Sequence, residues 1–167
     1  MLLSMTALLI LSGCLQSQQR VYEIGFPYSD SHGTFSLLSA ELSDSVVIAD
    51  ETVQAPEGYR YLIADMTADT IENWKKISDI RLRENGGEVV RSPDADLTAR
   101  LNGSDGFSVR APEKLPVKLV YLIKEEPEYT NDETYMNNNT IFIQFADGMD
   151  SGFFHLSSFN ESNDALE

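Results

Sequence analysis

From Val21 onward the apolar residues of this chain recur at every second position, and that period restricts what the body can fold into. Val117, Leu119, Tyr121 and Ile123 fall on one face of the run 117–124, and Ile141, Ile143 and Phe145 on one face of 140–145. A strand sends successive side chains to opposite sides, so a period of two marks a strand with one face on a core. Ile80 and Leu82 alternate with Arg81 and Arg83, the pattern of a half-exposed strand. Residues 59–66 are apolar except at Arg60 and Asp65, which predicts a strand buried along most of both faces. Further strands are expected at 21–26, 34–41, 45–48, 88–91, 106–110 and 153–156. No window of twelve or more residues carries a helical stripe.

Turn residues separate these runs. Asn85-Gly86-Gly87 suits a hairpin loop because Asn and Gly tolerate positive φ, and Asn102-Gly103, Asp105-Gly106 and Asp147-Gly148 punctuate in the same way. All six prolines fall at the ends of runs or between them, where a missing N–H breaks no ladder. About ten short strands with frequent turns predict an all-β, antiparallel β-sandwich. Two long segments, 92–105 and the acidic, Asn-rich 125–139, read as loops.

The 167 residues suit one domain, typical domains running ~100–150 residues, and an apolar fraction of 42% supplies a core. A single cysteine excludes an internal disulfide framework and a multi-cysteine zinc site. Twenty-seven acids against twelve bases leave a net charge of −15, which repels phosphate backbones and argues against nucleic acid as a partner.

That cysteine stands at an informative place. Residues 2–11 are apolar except Ser4 and Thr6, and they end in Leu11-Ser12-Gly13-Cys14. A membrane-spanning helix needs ~20 residues, so the run has the length of a signal-peptide core and not of a permanent span. The tetrapeptide looks like the lipobox of secreted lipoproteins: Leu11, Ser12 and Gly13 form the peptidase recognition segment, and the Cys14 thiol accepts a diacylglyceryl group. No Lys or Arg precedes the run, a departure expected of a start upstream of Met1 or of a weak signal. The expected organisation is a signal peptide at 1–13, a lipidated cysteine and polar tether at 14–20, a sandwich at 21–159 and a disordered tail at 160–167. The partner so implied is the outer face of the cell membrane, reached through lipid on Cys14, with an envelope protein as a second candidate.

Several runs together resemble a family of extracytoplasmic lipoprotein domains of unknown function with an immunoglobulin-like, immunoprotective-antigen-type sandwich. They are residues 56–66, similar to the family's glycine-led buried strand, residues 80–87, similar to the strand and glycine turn that follow it, residues 115–123, similar to a later strand, and residues 140–145, similar to the last. The resemblance implies a fold and an address. It brings no catalytic residue with it.

Chemistry is thinly marked. His32 and His155 are the only histidines; a blue-copper site needs a cysteine thiolate with them, and Cys14 is committed to lipid. Serine, histidine and aspartate are present without a Gly-x-Ser-x-Gly elbow, so a small secreted hydrolase is the weaker functional reading and no catalytic residue is assigned. No cofactor is expected, calcium being the one candidate: Glu125, Glu126, Glu128, Asp132 and Glu133 offer hard oxygen ligands suited to a calcium-dependent adhesion module, and Asp94, Asp96 and Asp105 form a second group. Neither group has the spacing of a calcium-binding loop. Sequons occur at Asn102, Asn138 and Asn160. Tyr22, Tyr59, Tyr61 and Trp74 read as sandwich core. With five lysines against seven arginines, the acidic surface suits a high-salt setting, where screening tames self-repulsion. The functional expectation is therefore a lipid-anchored binding or accessory module.

Overall fold

The computed structural model describes residues 21–30, 33–70, 80–84, 88–103, 115–125, 132–144 and 150–157. Their strands are β1 (Val21–Tyr22), β2 (Tyr28–Asp30), β3 (Gly33–Ser43), β4 (Ser45–Ile48), β5 (Glu51–Gln54), β6 (Tyr59–Thr70), β7 (Ile80–Glu84), β8 (Val89–Arg91), β9 (Leu115–Lys124), β10 (Thr140–Gln144) and β11 (Asp150–His155). Two short helices join them, α1 (Ala95–Leu101) and α2 (Asp132–Asn138). One sheet has the order β1-β11-β10-β7-β8, a second β2-β3-β6-β9, and β4-β5 pair as a separate hairpin.

The period-two faces meet between the two larger sheets. Phe35, Leu37, Leu62, Ala64, Met66, Val117, Leu119, Tyr121 and Ile123 from one sheet pack against Ile80, Leu82, Ile141, Ile143, Phe154 and Leu156 from the other. β6 is buried on its second face as well, as its composition predicts. Tyr61 and Val120 lie under Val46 of the hairpin and Leu97 of α1, with Ile63 and Leu122 beside them. The protein is thus mostly β, two sheets packed face to face with a hairpin and a helix laid over the outer side of one.

Several expectations need correction. The segment 92–105 contains α1, and 125–139 contains α2, where loops were expected in an otherwise mostly β structure. Each helix has seven residues, too few for a stripe in a twelve-residue window, and each is held by contacts distant in sequence. Asp94 caps α1, its Oδ1 accepting from Leu97 N–H at 2.9 Å. Thr98 and Asn102 then close the free edge of β9. Val120 N–H donates to Thr98 Oγ1 at 3.2 Å, Val120 C=O accepts from Asp94 N–H at 2.7 Å, and the Asn102 amide pairs with both Lys118 N–H (2.9 Å) and Lys118 C=O (2.7 Å). An exposed edge invites pairing with another chain, and α1 covers this one.

The sandwich is also not wholly antiparallel, because β1 runs parallel to β11. The strand expected at 21–26 ends at Tyr22, and β2 and β5 arise where none was expected. β7 pairs antiparallel with β8, and the turn expected between them at Asn85-Gly86-Gly87 lies outside the described residues. Tyr61 is core, whereas Tyr59 is 38% exposed. The segment expected at 106–110 and Trp74 lie outside the described residues.

β1 belongs to one sheet and β2 to the other, so the chain crosses between them within residues 23–27. Tyr22 and Tyr28 meet edge to face at 5.4 Å, and Tyr22 continues to Phe154 at 5.9 Å and Tyr28 to Phe35 at 6.5 Å. This aromatic series ties the two sheets at their N-terminal corner. β11 accommodates it through Gly152, whose φ is +55°, where the β10–β11 register slips by one residue.

Candidate functional site

The cysteine on which the functional expectation turns, Cys14, lies with Leu11, Ser12 and Gly13 outside the described residues, as do Glu126, Glu128, His32 and Asp105. Among the described residues no helix is long and apolar enough to cross a membrane.

The acidic candidates that are described are spread through the fold's ion pairs. Arg60 on β6 donates from Nη1 to Asp132 Oδ1 at 2.5 Å and from Nε to Asp44 Oδ1 at 3.0 Å. The hydrogen bond to Asp132, with the charges of Asp132 and Asp44, holds the guanidinium above its ordinary pKa despite partial burial. A cation at Asp132 must therefore displace a guanidinium. Glu133 and Glu125 are exposed, and Glu125 N–H donates to Gly58 C=O at 2.9 Å. Asp94 is the cap of α1, and Asp96 lies 3.5 Å from Arg100, which also meets Glu51 of the hairpin at 2.5 Å. No group of three or more His, Cys, Asp or Glu side chains placed to hold a metal occurs among the described residues.

The most deeply buried charge among the described residues is one that sequence reasoning passed over. Glu84, the last residue of β7, is 3% exposed. Its Oε1 accepts from the Tyr135 hydroxyl of α2 at 2.7 Å, and its Oε2 accepts from Arg91 Nε on β8. A carboxylate taken from water needs such partners, since unpaired it costs several kcal/mol. Both oxygens are engaged, and the group holds β7, β8 and α2 together. The signal was available: Ile80, Leu82 and Glu84 alternate inward with Arg81 and Arg83, so the period places Glu84 in the core.

The outer face of the five-stranded sheet is the remaining concentration of chemistry. Phe142 and Phe153 stack at 5.5 Å, and the Arg83 guanidinium stands 4.6 Å and 4.8 Å from their ring centres, a cation–π arrangement. Arg81 is opposite Phe142, its Nε buried without a hydrogen-bond partner among the described residues. His155 sits half-buried opposite Thr140. Tyr121 lies within the core, its hydroxyl donating to Ile80 C=O at 3.1 Å, and burial raises its pKa well above the ordinary phenol value. Burial, helped by the charge of Asp94, also raises Tyr61.

The Asn102 sequon has a structural answer. Nδ2, the atom that would carry a glycan, donates to Thr98 C=O at 2.6 Å and to Lys118 C=O at 2.7 Å. A sugar there and the closed edge of β9 exclude one another.

The sequence matches no family model and no curated protein. The fold is similar to two solved structures. One is an uncharacterized β-sandwich protein from Clostridium difficile 630, at 15% identity and a TM-score of 0.53 over 84% of this chain and 97% of that one. The other is a conserved hypothetical protein from Bacillus anthracis, at 9% identity and a TM-score of 0.51 over 78% of this chain and 93% of that one. At such identities the likeness is one of fold, a β-sandwich.

Proposed function

We propose that this chain is a lipid-anchored, extracytoplasmic module with an immunoglobulin-like β-sandwich, held at the outer face of the cell membrane through Cys14 and serving there as a binding or accessory domain. The observation that carries the proposal is the lone cysteine at the end of Leu11-Ser12-Gly13-Cys14, followed by a short polar stretch that leads directly into β1. The commitment of Glu84, Asp94 and Asp132 to the fold's own contacts supports a module that binds over an enzyme. One acyl chain gives only marginal membrane binding, so a thioether-linked diacylglyceryl group at Cys14 is the anchor the reading requires.

Cys14→Ser with cell fractionation tests it. The unsubstituted chain should sediment with membranes and incorporate labelled fatty acid, and C14S should do neither. Membrane retention unchanged in C14S overturns the proposal.

A further inference from the structure

The large exposed apolar side chains of the described residues are Val21, Phe26, Leu38, Val47, Tyr59 and Val90. Val21 is 40% exposed at the outer edge of its sheet, Phe26 61% and Leu38 46%. Fixed backbone brings the last two together. Phe26 N–H donates to Glu23 C=O at 3.1 Å, closing a turn in which Gly25 takes a φ of +85°. Gly25 N–H in turn donates to Leu37 C=O at 2.7 Å, so Phe26 and Leu38 each follow one member of the same hydrogen bond. Leu38 is the extra residue of a bulge, the β3–β6 register passing from Leu37 to Ser39, and that bulge presents it outward.

We propose that Phe26 and Leu38 form the face on which the domain rests against the lipid surface that holds Cys14. The inference rests on the anchoring reading given above. Residues 15–20 span at most about 20 Å even when fully extended, so the end of the fold that Val21 begins stays within that reach of the bilayer. With a net charge of −15, electrostatic attraction to anionic headgroups cannot hold the domain there, and apolar side chains entering the interface can. Glu23 is exposed in the same turn, which favours a zwitterionic surface over an anionic one.

The test uses the full chain isolated with its lipid and reconstituted into phosphatidylcholine vesicles whose acyl chains carry bromine, a short-range quencher of tryptophan. Variants F26W and L38W are compared with V47W on the β4–β5 hairpin, each against the parent with its single Trp74. Added tryptophan at 26 and 38 should be quenched about twofold more than at 47, with emission shifted to the blue, as an indole at a membrane interface behaves. Equal quenching at 26, 38 and 47, in a chain that floats with the vesicles and carries the lipid mass on Cys14, overturns the resting face and leaves the anchor intact. A chain with no lipid mass that fails to float overturns both. Self-association through Phe26, seen as a dimer of the lipid-bearing chain in detergent that F26S abolishes, also overturns it.

Discussion

Gly152→Ala probes the corner at which the two sheets are tied. A Cβ at Gly152 would stand 2.7 Å from Cδ1 and 3.0 Å from Cε1 of Tyr28, inside ordinary van der Waals contact. The residue also has φ of +55°, which for an L side chain costs about 1–2 kcal/mol. Tyr28 cannot simply retreat, because its ring is wedged between Tyr22 and Phe35, and forcing a methyl into such packing costs a further ~1–3 kcal/mol. The expected loss is therefore about 2–5 kcal/mol, a large share of a small domain's stability. Urea denaturation followed by circular dichroism measures it, and Y28A separates the two contributions. In the Y28A background the ring is gone, so G152A should cost only the backbone part, about 1–2 kcal/mol, giving a coupling of similar size. An unaltered midpoint for G152A, or the same loss in both backgrounds, would refute the reasoning.

Three further outcomes follow from the same geometry. Asn102→Ala removes the amide that pairs with Lys118 and Thr98, and should lower stability in urea by about 1–3 kcal/mol; mass spectrometry of the folded chain isolated from its host should find no glycan on Asn102. Tyr121 is neutral in the fold well above pH 10.0, while in the unfolded chain its phenol ionises there, so the stability it contributes is complete below that pH and lost as pH rises beyond it; Y121F should unfold at higher pH than the parent in an alkaline titration read by circular dichroism. The hairpin β4–β5 turns on Ala49-Asp50 with Ala49 at φ +53°, a position glycine prefers, and A49G should raise the urea midpoint, by about 0.5–1 kcal/mol of stability once the greater freedom of the unfolded glycine is subtracted.

Salt should act on the whole surface. The described ion pairs of Arg60, Arg100 and Lys118 are exposed on at least one partner and contribute little each. Repulsion among the remaining acids extends over the entire chain and is screened beyond about 10 Å at 0.1 M salt. Raising sodium chloride should therefore increase the melting temperature, and a melting temperature that falls between low and moderate salt would mean that the pairs outweigh the repulsion.

What was legible in the sequence is what is decided locally. Alternation over five or more residues places β7, β9 and β10, because a strand's faces follow from its own backbone, and the doubly apolar run at 59–66 places β6 in the middle of its sheet for the same reason. What escaped is decided at a distance. α1 has too few turns to persist by its own hydrogen bonds, and it forms where Asp94, Thr98 and Asn102 meet the edge of β9. β1 is two residues long and exists only because β11 lies beside it. The hairpin β4–β5 turns without the glycine that would have announced it, and bears that strain under the packing of Val46 on Tyr61 and Val120. Glu84 shows the same division within one residue. Its place in the alternation of Ile80 and Leu82 points inward, but only the fold could supply the two partners, Tyr135 and Arg91, that make a buried carboxylate tolerable. The lipid-anchor reading stands on the other side of that line: it depends on consecutive residues read by an enzyme as an extended chain, so Leu11-Ser12-Gly13-Cys14 states it without the fold. The resting face needs both, the tether's length from the sequence and the bond between Gly25 and Leu37 that sets Phe26 beside Leu38 from the structure.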